Sequence, residues 1–260
     1  MRLPALFVSH GSPEIALRET AWAASLREFA GSLQRPSAVV IVSAHWEAPM
    51  SVRVTTSPRP ETIHDFSGFA PALYEIDYPC PGAPEVAARI GALFAGAGIE
   101  SKTDSDRGLD HGAWVPLRAL FPEADVPVAA VSLPRPRSPA ALFALGRALA
   151  PLREEGVFLV GSGGLVHNLR LLEWEERDAP PAAWAVEFET WVRGRLIVRD
   201  DEALLLYREK APHSLRAHPT TEHFDPLFFA LGAAAGDPCR SLLDGFEYGT
   251  LSMGCLAFGG

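Results

Sequence analysis

The sequence predicts an α/β fold: a single domain over residues 1–260 with a central, mostly parallel (mixed) sheet flanked by helices. Three observations predict it. An apolar run at 4–9, an amphipathic stretch at 19–34 and a second apolar run at 38–44 compose a strand–helix–strand unit, which implies a parallel pair with a right-handed crossover. The same alternation returns at 126–133, 138–152 and 156–162. No internal repeat, low-complexity tract or linker divides the chain.

Each element has its own local reason. "PALFVS" at 4–9 reads as a buried strand, stopped at once by the turn "HGSP". Trp22, Leu26, Phe29 and Leu33 repeat at helical spacing, so 19–34 is an amphipathic helix. "AVVIVSA" at 38–44 is the next strand, and the alternating "MSVRVTT" at 50–56 is expected as an edge strand. Residues 57–82 are rich in proline and aromatics without periodicity, and a loop of that length in a compact domain is often functional. A helix is expected at 83–98, with Pro84 in its first turn. "VPVAAVSL" at 126–133 is a strand. The helix at 138–152 has Ser138 as N-cap, Pro139 at its first position, and Leu142, Leu145 and Leu149 on one face. "GVFLVGS" at 156–162 is a strand ending in a glycine turn. Trp184, Phe188, Trp191 and Val192 mark a helix near 181–198, and Phe224, Leu227, Phe228 and Leu231 mark another at 222–235. A final strand is expected within 247–258.

Composition narrows the function classes. Hydrophobic residues make up 48 % and charged residues 21 %, enough to bury a core without disulfide staples. The formal net charge of −9 argues against nucleic acid as a partner. Three cysteines, Cys80, Cys239 and Cys255, are an odd count with no CxxC, as expected of reduced thiols. The N-terminus lacks the basic and apolar regions of a signal peptide, and no 18-residue apolar stretch follows. A cytoplasmic protein without membrane attachment is expected; the oligomeric state, monomer or homodimer, is left open.

The eight histidines carry the functional reading. His10 and His45 end the first two strands, and His167 lies just past the 156–162 strand. In open parallel sheets, ligands bind beyond the carboxyl ends of the strands. One histidine there is more often hydrogen-bonded to backbone than bound to a metal. Three at one sheet edge favour a divalent ion. His64 and Asp65 lie in the long loop and are candidates for contacting substrate, with loop-fixing hydrogen bonds an equal alternative. His111 falls in the turn-like "GLDHGAW", and His223 follows Glu222 in "TTEHF". His213 and His218 are expected at the surface; Trp46 and Trp114 are expected in the core. Phe66, Phe69, Tyr74 and Tyr78 either pack the loop onto the sheet or stack on an aromatic ligand. "GSGG" reads as a strand-to-helix turn, because it lacks the motifs of a phosphate cradle. Ser162 sits outside a GxSxG pentad, which disfavours a serine hydrolase.

"SHGSP", "SAHWE", "TIHDFSGFAPALYEIDYPCPG", "GLDHGAWVPL", "GSGGLVHNLR", "TTEHFDPLFFALGAA" and "YGTLSMGCLAFG" run in order from residue 9 to 259. Together they resemble the class III extradiol ring-cleavage dioxygenases of the DOPA 4,5-dioxygenase type. The resemblance implies a metal at one end of the sheet, with His10, His45 and His223 as ligands and Glu222 as a possible alternative ligand. It implies that His167 is either a further ligand or the acid–base histidine, with His111 as the second catalytic candidate. It also implies Zn²⁺ as the ion bound, Fe²⁺ as the catalytic ion, O₂ as co-substrate and a small aromatic catechol as partner. Extradiol cleavage needs an open metal face for both catechol oxygens and dioxygen, plus a neutral histidine to move a proton. A zinc-dependent hydrolase on the same histidines and a non-enzymatic metal-binding relative are the competing classes.

Overall fold

A computed structural model describes residues 2–260. Ten strands occur among them: β1 (Ala5–Ser9), β2 (Ala38–Pro49), β3 (Val52–Thr55), β4 (Ser101–Asp104), β5 (Val128–Arg135), β6 (Val157–Gly163), β7 (Cys239–Leu243), β8 (Phe246–Glu247), β9 (Leu251–Ser252) and β10 (Cys255–Phe258). Eight of them form one sheet in the order β4-β3-β5-β2-β6-β1-β10-β7. The four central strands, β5, β2, β6 and β1, are parallel. Antiparallel pairings of β3 with β5 and of β10 with β1 make the sheet mixed.

Both faces of this sheet are covered, so its central strands read as continuous apolar runs. Their side chains nevertheless divide with period two. Phe7, Val40 and Leu159 face one core, while Leu6, Ile41 and Val160 face the other. The second core is closed by α1 (Ala21–Ser32) through Trp22, Leu26 and Phe29. The first is closed by α3 (Pro84–Gly96) and α5 (Pro139–Leu149), and later in the chain by α6 (Ala183–Ile197) and α10 (Asp225–Ala233). Thr20 and Ser138 cap α1 and α5 by accepting from Ala23 N–H and Ala141 N–H.

Several expectations need correcting. The strand at 50–56 is not an edge strand, because β4 pairs outside it in parallel register. The β4 sequence "SKTD" is polar and half-exposed, so no hydrophobic alternation announces it. Residues His111–Leu120 form a helix, α4, rather than a turn. Gly112 and Pro116 obscure it, but Asp110 supplies the N-cap by accepting from Ala113 N–H. The expected C-terminal strand is broken into β8, β9 and β10 by a turn in which Tyr248 and Gly249 have positive φ. Strand β7 and the short helices α7 (Asp201–Leu205), α8 (Tyr207–Lys210) and α9 (Ser214–Ala217) had no periodic signal of their own.

The segment 57–82 holds only one helical turn, α2 (Pro71–Tyr74), yet it is pinned throughout. Ile63 N–H donates to Leu109 O, Trp114 Nε1–H to Ile63 O, and Thr62 Oγ1 to Asp77. No helix among the described residues is long and apolar enough to cross a membrane.

Candidate metal centre

Three imidazoles meet at the carboxyl end of the sheet. His10 follows β1, His45 lies within β2, and His223 stands in the turn that leads into α10. His45 is set where the β2 ladder is interrupted: pairing with β5 skips from Val42 to Glu47, and pairing with β6 ends at Ser43. Such a bulge re-aims a side chain out of the regular alternation. His10 Nε2 lies 3.1 Å from His45 Nε2, which lies 3.2 Å from His223 Nε2.

The other ring nitrogen of each faces an acceptor. His10 Nδ1 is 3.0 Å from Ser162 Oγ, whose own proton goes to Gly112 O, so Ser162 accepts from the imidazole. His45 Nδ1 lies 3.4 Å from Asp65 Oδ2, and His223 Nδ1 lies 3.1 Å from Glu222 Oε1. Protons on all three Nδ1 atoms leave three bare Nε2 lone pairs facing one another. Burial, and then the neighbouring histidines, hold His10 and His223 well below the usual imidazole range; burial brings His45 down to about 4. The trio is therefore neutral near pH 7. Converging lone pairs repel unless a cation sits among them, and ligands about 2.0–2.1 Å from a common ion would be spaced by roughly 3.0–3.4 Å. The donor set fits a divalent metal.

Two further histidines flank the trio. His111, the first residue of α4, gives both its backbone N–H and its Nδ1–H to Asp65 Oδ1 at 2.9 Å. Burial opposes the charge on Asp65, but the His111 hydrogen bonds outweigh it and hold the carboxyl at about 2. One carboxylate thus orients both His45 and His111. The His167 ring lies flat on that of His223, with centroids 3.4 Å apart and an interplanar angle of 5°. Burial lowers His167 to about 3. His167 stands outside the converging trio and shares a second donor group with Glu222 and His223.

Beside these histidines is a cavity of about 220 Å³, lined by His10, His45, Asp65, His111, His167 and His223 on one side. Phe66 and Phe69 of the long loop reach the same cavity. His64 does not line it; its Nε2 bonds Ile76 O at 3.0 Å and fixes the loop. His213 pairs with Glu187 in a half-exposed position. His218 is not at the surface, as expected, but fully buried, with Nε2 on Leu165 O at 2.8 Å. It packs on Phe188 and Phe224, a tertiary enclosure that the polar segment around it does not announce.

The family described as the catalytic LigB subunit of aromatic ring-opening dioxygenase matches residues 4–258. The chain belongs to this family. It is 40 % identical over 256 residues to "4,5-DOPA dioxygenase extradiol" of Escherichia coli (strain K12), covering 97 % of this chain and 93 % of that one. It is 40 % identical over 264 residues to the Beta vulgaris protein of the same name, covering 97 % and 95 %. The crystal structure of an uncharacterized Escherichia coli K12 protein superposes with a TM-score of 0.84 at 35 % identity, covering 99 % of this chain and 100 % of that one.

In this member of the family the supports of the histidines are as specific as the histidines themselves. A Cβ on Gly112 would lie 2.4 Å from Ser43 Oγ and 2.8 Å from His45 Cδ2, so only glycine lets α4 approach the trio. A Cβ on Gly163 would lie 2.1 Å from His223 O, so the "GSGG" turn admits the His223 backbone and does not cradle phosphate. Part-buried Arg137 joins Glu47 of β2 to Thr221 and Asp225, tying the strand of His45 to the turn of His223. Sequence reading gave Ser162, Gly112 and Arg137 no role at the metal. Only the "GSGG" and "DHGAW" glycines offered a signal, as positions of close backbone approach.

Proposed function

We propose that this chain is a metal-dependent extradiol dioxygenase that opens a catechol ring beside its diol to give a semialdehyde. The observation that carries the reading is the trio of Nε2 atoms of His10, His45 and His223, each with its Nδ1 turned to an acceptor. These three would hold the ion, with Glu222 behind His223 rather than in its place. The ion would supply a Lewis-acidic face for both catechol oxygens and dioxygen, Zn²⁺ being readily retained by three imidazoles and Fe²⁺ being the form active with oxygen.

The protein's own groups do the rest. Asp65 holds the Nδ1–H of His111, which leaves Nε2 as the nitrogen able to take a phenolic proton in the cavity. His167, neutral and stacked on His223, is the second group in reach of a proton on the ring oxygens or the opened product. Phe66 and Phe69 offer aromatic faces to the ring and exclude water. The reaction balances without a reductant: one carbon–carbon bond next to the diol breaks, and both oxygen atoms of O₂ enter the product.

Anaerobic reconstitution with Fe²⁺ followed by a panel of catechols tests the reading. Stoichiometric oxygen uptake with a yellow ring-opened product is expected. Ester or amide hydrolysis by the zinc form without oxygen consumption would replace it with a zinc hydrolase. Tight metal binding with no turnover of any catechol would favour a binding protein.

A further inference from the structure

The inner wall of the cavity is made of histidines, but its outer wall is apolar. Phe66, Phe69, Leu169, Trp174 and Leu251 line it. Leu169 and Trp174 are 49 % and 51 % exposed, although large apolar side chains at a surface gain nothing from water. Trp174 is braced at 5.5 Å by the Tyr248 ring, whose hydroxyl is tied to Glu14. No lysine or arginine lines the cavity. Its one formal charge, Asp65, is already committed to His111 and His45. The remaining polar group is the Ser12 hydroxyl, on a residue only 6 % exposed and with no hydrogen-bond partner.

We infer that the catechol taken here carries a neutral, apolar ring substituent, a short alkyl or aryl group, rather than an amino-acid or carboxylate side chain. This rests on the ring-cleavage reading of the site. A carboxylate entering this cavity would leave water for phenylalanine, leucine and tryptophan with no cation to meet it, and an ammonium would find only Asp65, already held by His111 and His45. An apolar substituent loses nothing and buries the exposed faces of Leu169 and Trp174. Size agrees: a cavity of about 150 Å³ accepts benzene, so about 220 Å³ leaves room for a few more carbons before the mouth. This class differs from the amino acid in the names of the relatives.

The test compares 4-propylcatechol, unsubstituted catechol, L-DOPA and 3-(3,4-dihydroxyphenyl)propanoate on the Fe²⁺-loaded full chain. The expected kcat/KM for 4-propylcatechol exceeds that of both charged compounds by about tenfold or more. Equal or better turnover of L-DOPA or the propanoate overturns the inference while leaving ring cleavage standing. Leu169→Arg, at a half-exposed position that accepts a long side chain, is expected to raise the propanoate-to-propyl ratio about tenfold, and Leu169→Gln is expected not to. An unchanged ratio in Leu169→Arg counts against the inference. Should no catechol consume oxygen, the ring-cleavage reading fails by itself. The substituent is then read by calorimetry on the zinc-loaded protein, where tighter binding of 4-propylcatechol supports the inference and tighter binding of L-DOPA overturns it.

Discussion

Pro116 frees the Gly112 carbonyl one turn earlier in α4. Proline has no N–H to return to the residue four places back, so Gly112 O accepts the Ser162 hydroxyl instead. That bond turns the Ser162 oxygen toward His10 Nδ1–H. A proline inside a helix thereby sets the tautomer of an imidazole on another element. Ser162→Ala is expected to weaken metal binding by about 10–100-fold, the usual cost of losing a partner behind a metal-bound histidine. Chelator competition measures it, and an unchanged circular dichroism spectrum separates it from misfolding.

His223 and Glu222 are separable by substitution. His223→Ala removes one of the three converging nitrogens and is expected to abolish stoichiometric metal retention after dialysis. Glu222→Gln keeps an acceptor oxygen behind His223 and is expected to cost at most about tenfold in affinity. Loss of metal in Glu222→Gln with retention in His223→Ala would return the site to two histidines and a carboxylate.

His111 lies outside the trio, so His111→Ala should retain the metal. Its kcat is expected to fall by about 100-fold or more, as for loss of a general acid–base group. Asp65→Asn should lower kcat in the same direction and also weaken metal binding, because Asp65 faces His45 as well as His111. Metal content and single-turnover kinetics on the same preparations distinguish the two variants.

Acid should destabilise the metal-free fold as its buried histidines are driven to take up protons. Burial lowers His218 to about 4, against about 6.5 in an unfolded chain. Between these values the unfolded state binds the proton and the folded state does not, so stability falls as pH drops from 6.5 toward 4 and is fully present above that window. His45, at about 4, acts in the same direction. Urea midpoints measured with chelator are expected to be lower at pH 5 than at pH 7, with His218 contributing about 2 kcal/mol. A replacement of His218 by glutamine that still folds should flatten this dependence; an unaltered slope would remove His218 from the account.

The sequence by itself determined the central strands of the sheet, most of its flanking helices and the edge at which the histidines gather. Val39 to Val42 and Val157 to Val160 are apolar without interruption because both sheet faces are covered, and that signal is local. It places His10, His45 and His167 beyond neighbouring strands before any contact is known. Which nitrogens meet was decided only in three dimensions. His167, at the end of the strand between those of His10 and His45, stacks instead of converging, while His223 arrives from a turn 178 residues away from His45 in the chain. Asp65 is delivered by an aperiodic loop pinned to Leu109 and Trp114, and His218 is enclosed by Phe188 and Phe224. Periodicity reports the face a residue occupies, because burial repeats with the backbone. The direction of a side chain in a bulge, a turn or a loop depends on long-range hydrogen bonds and close approaches, and those carry no period.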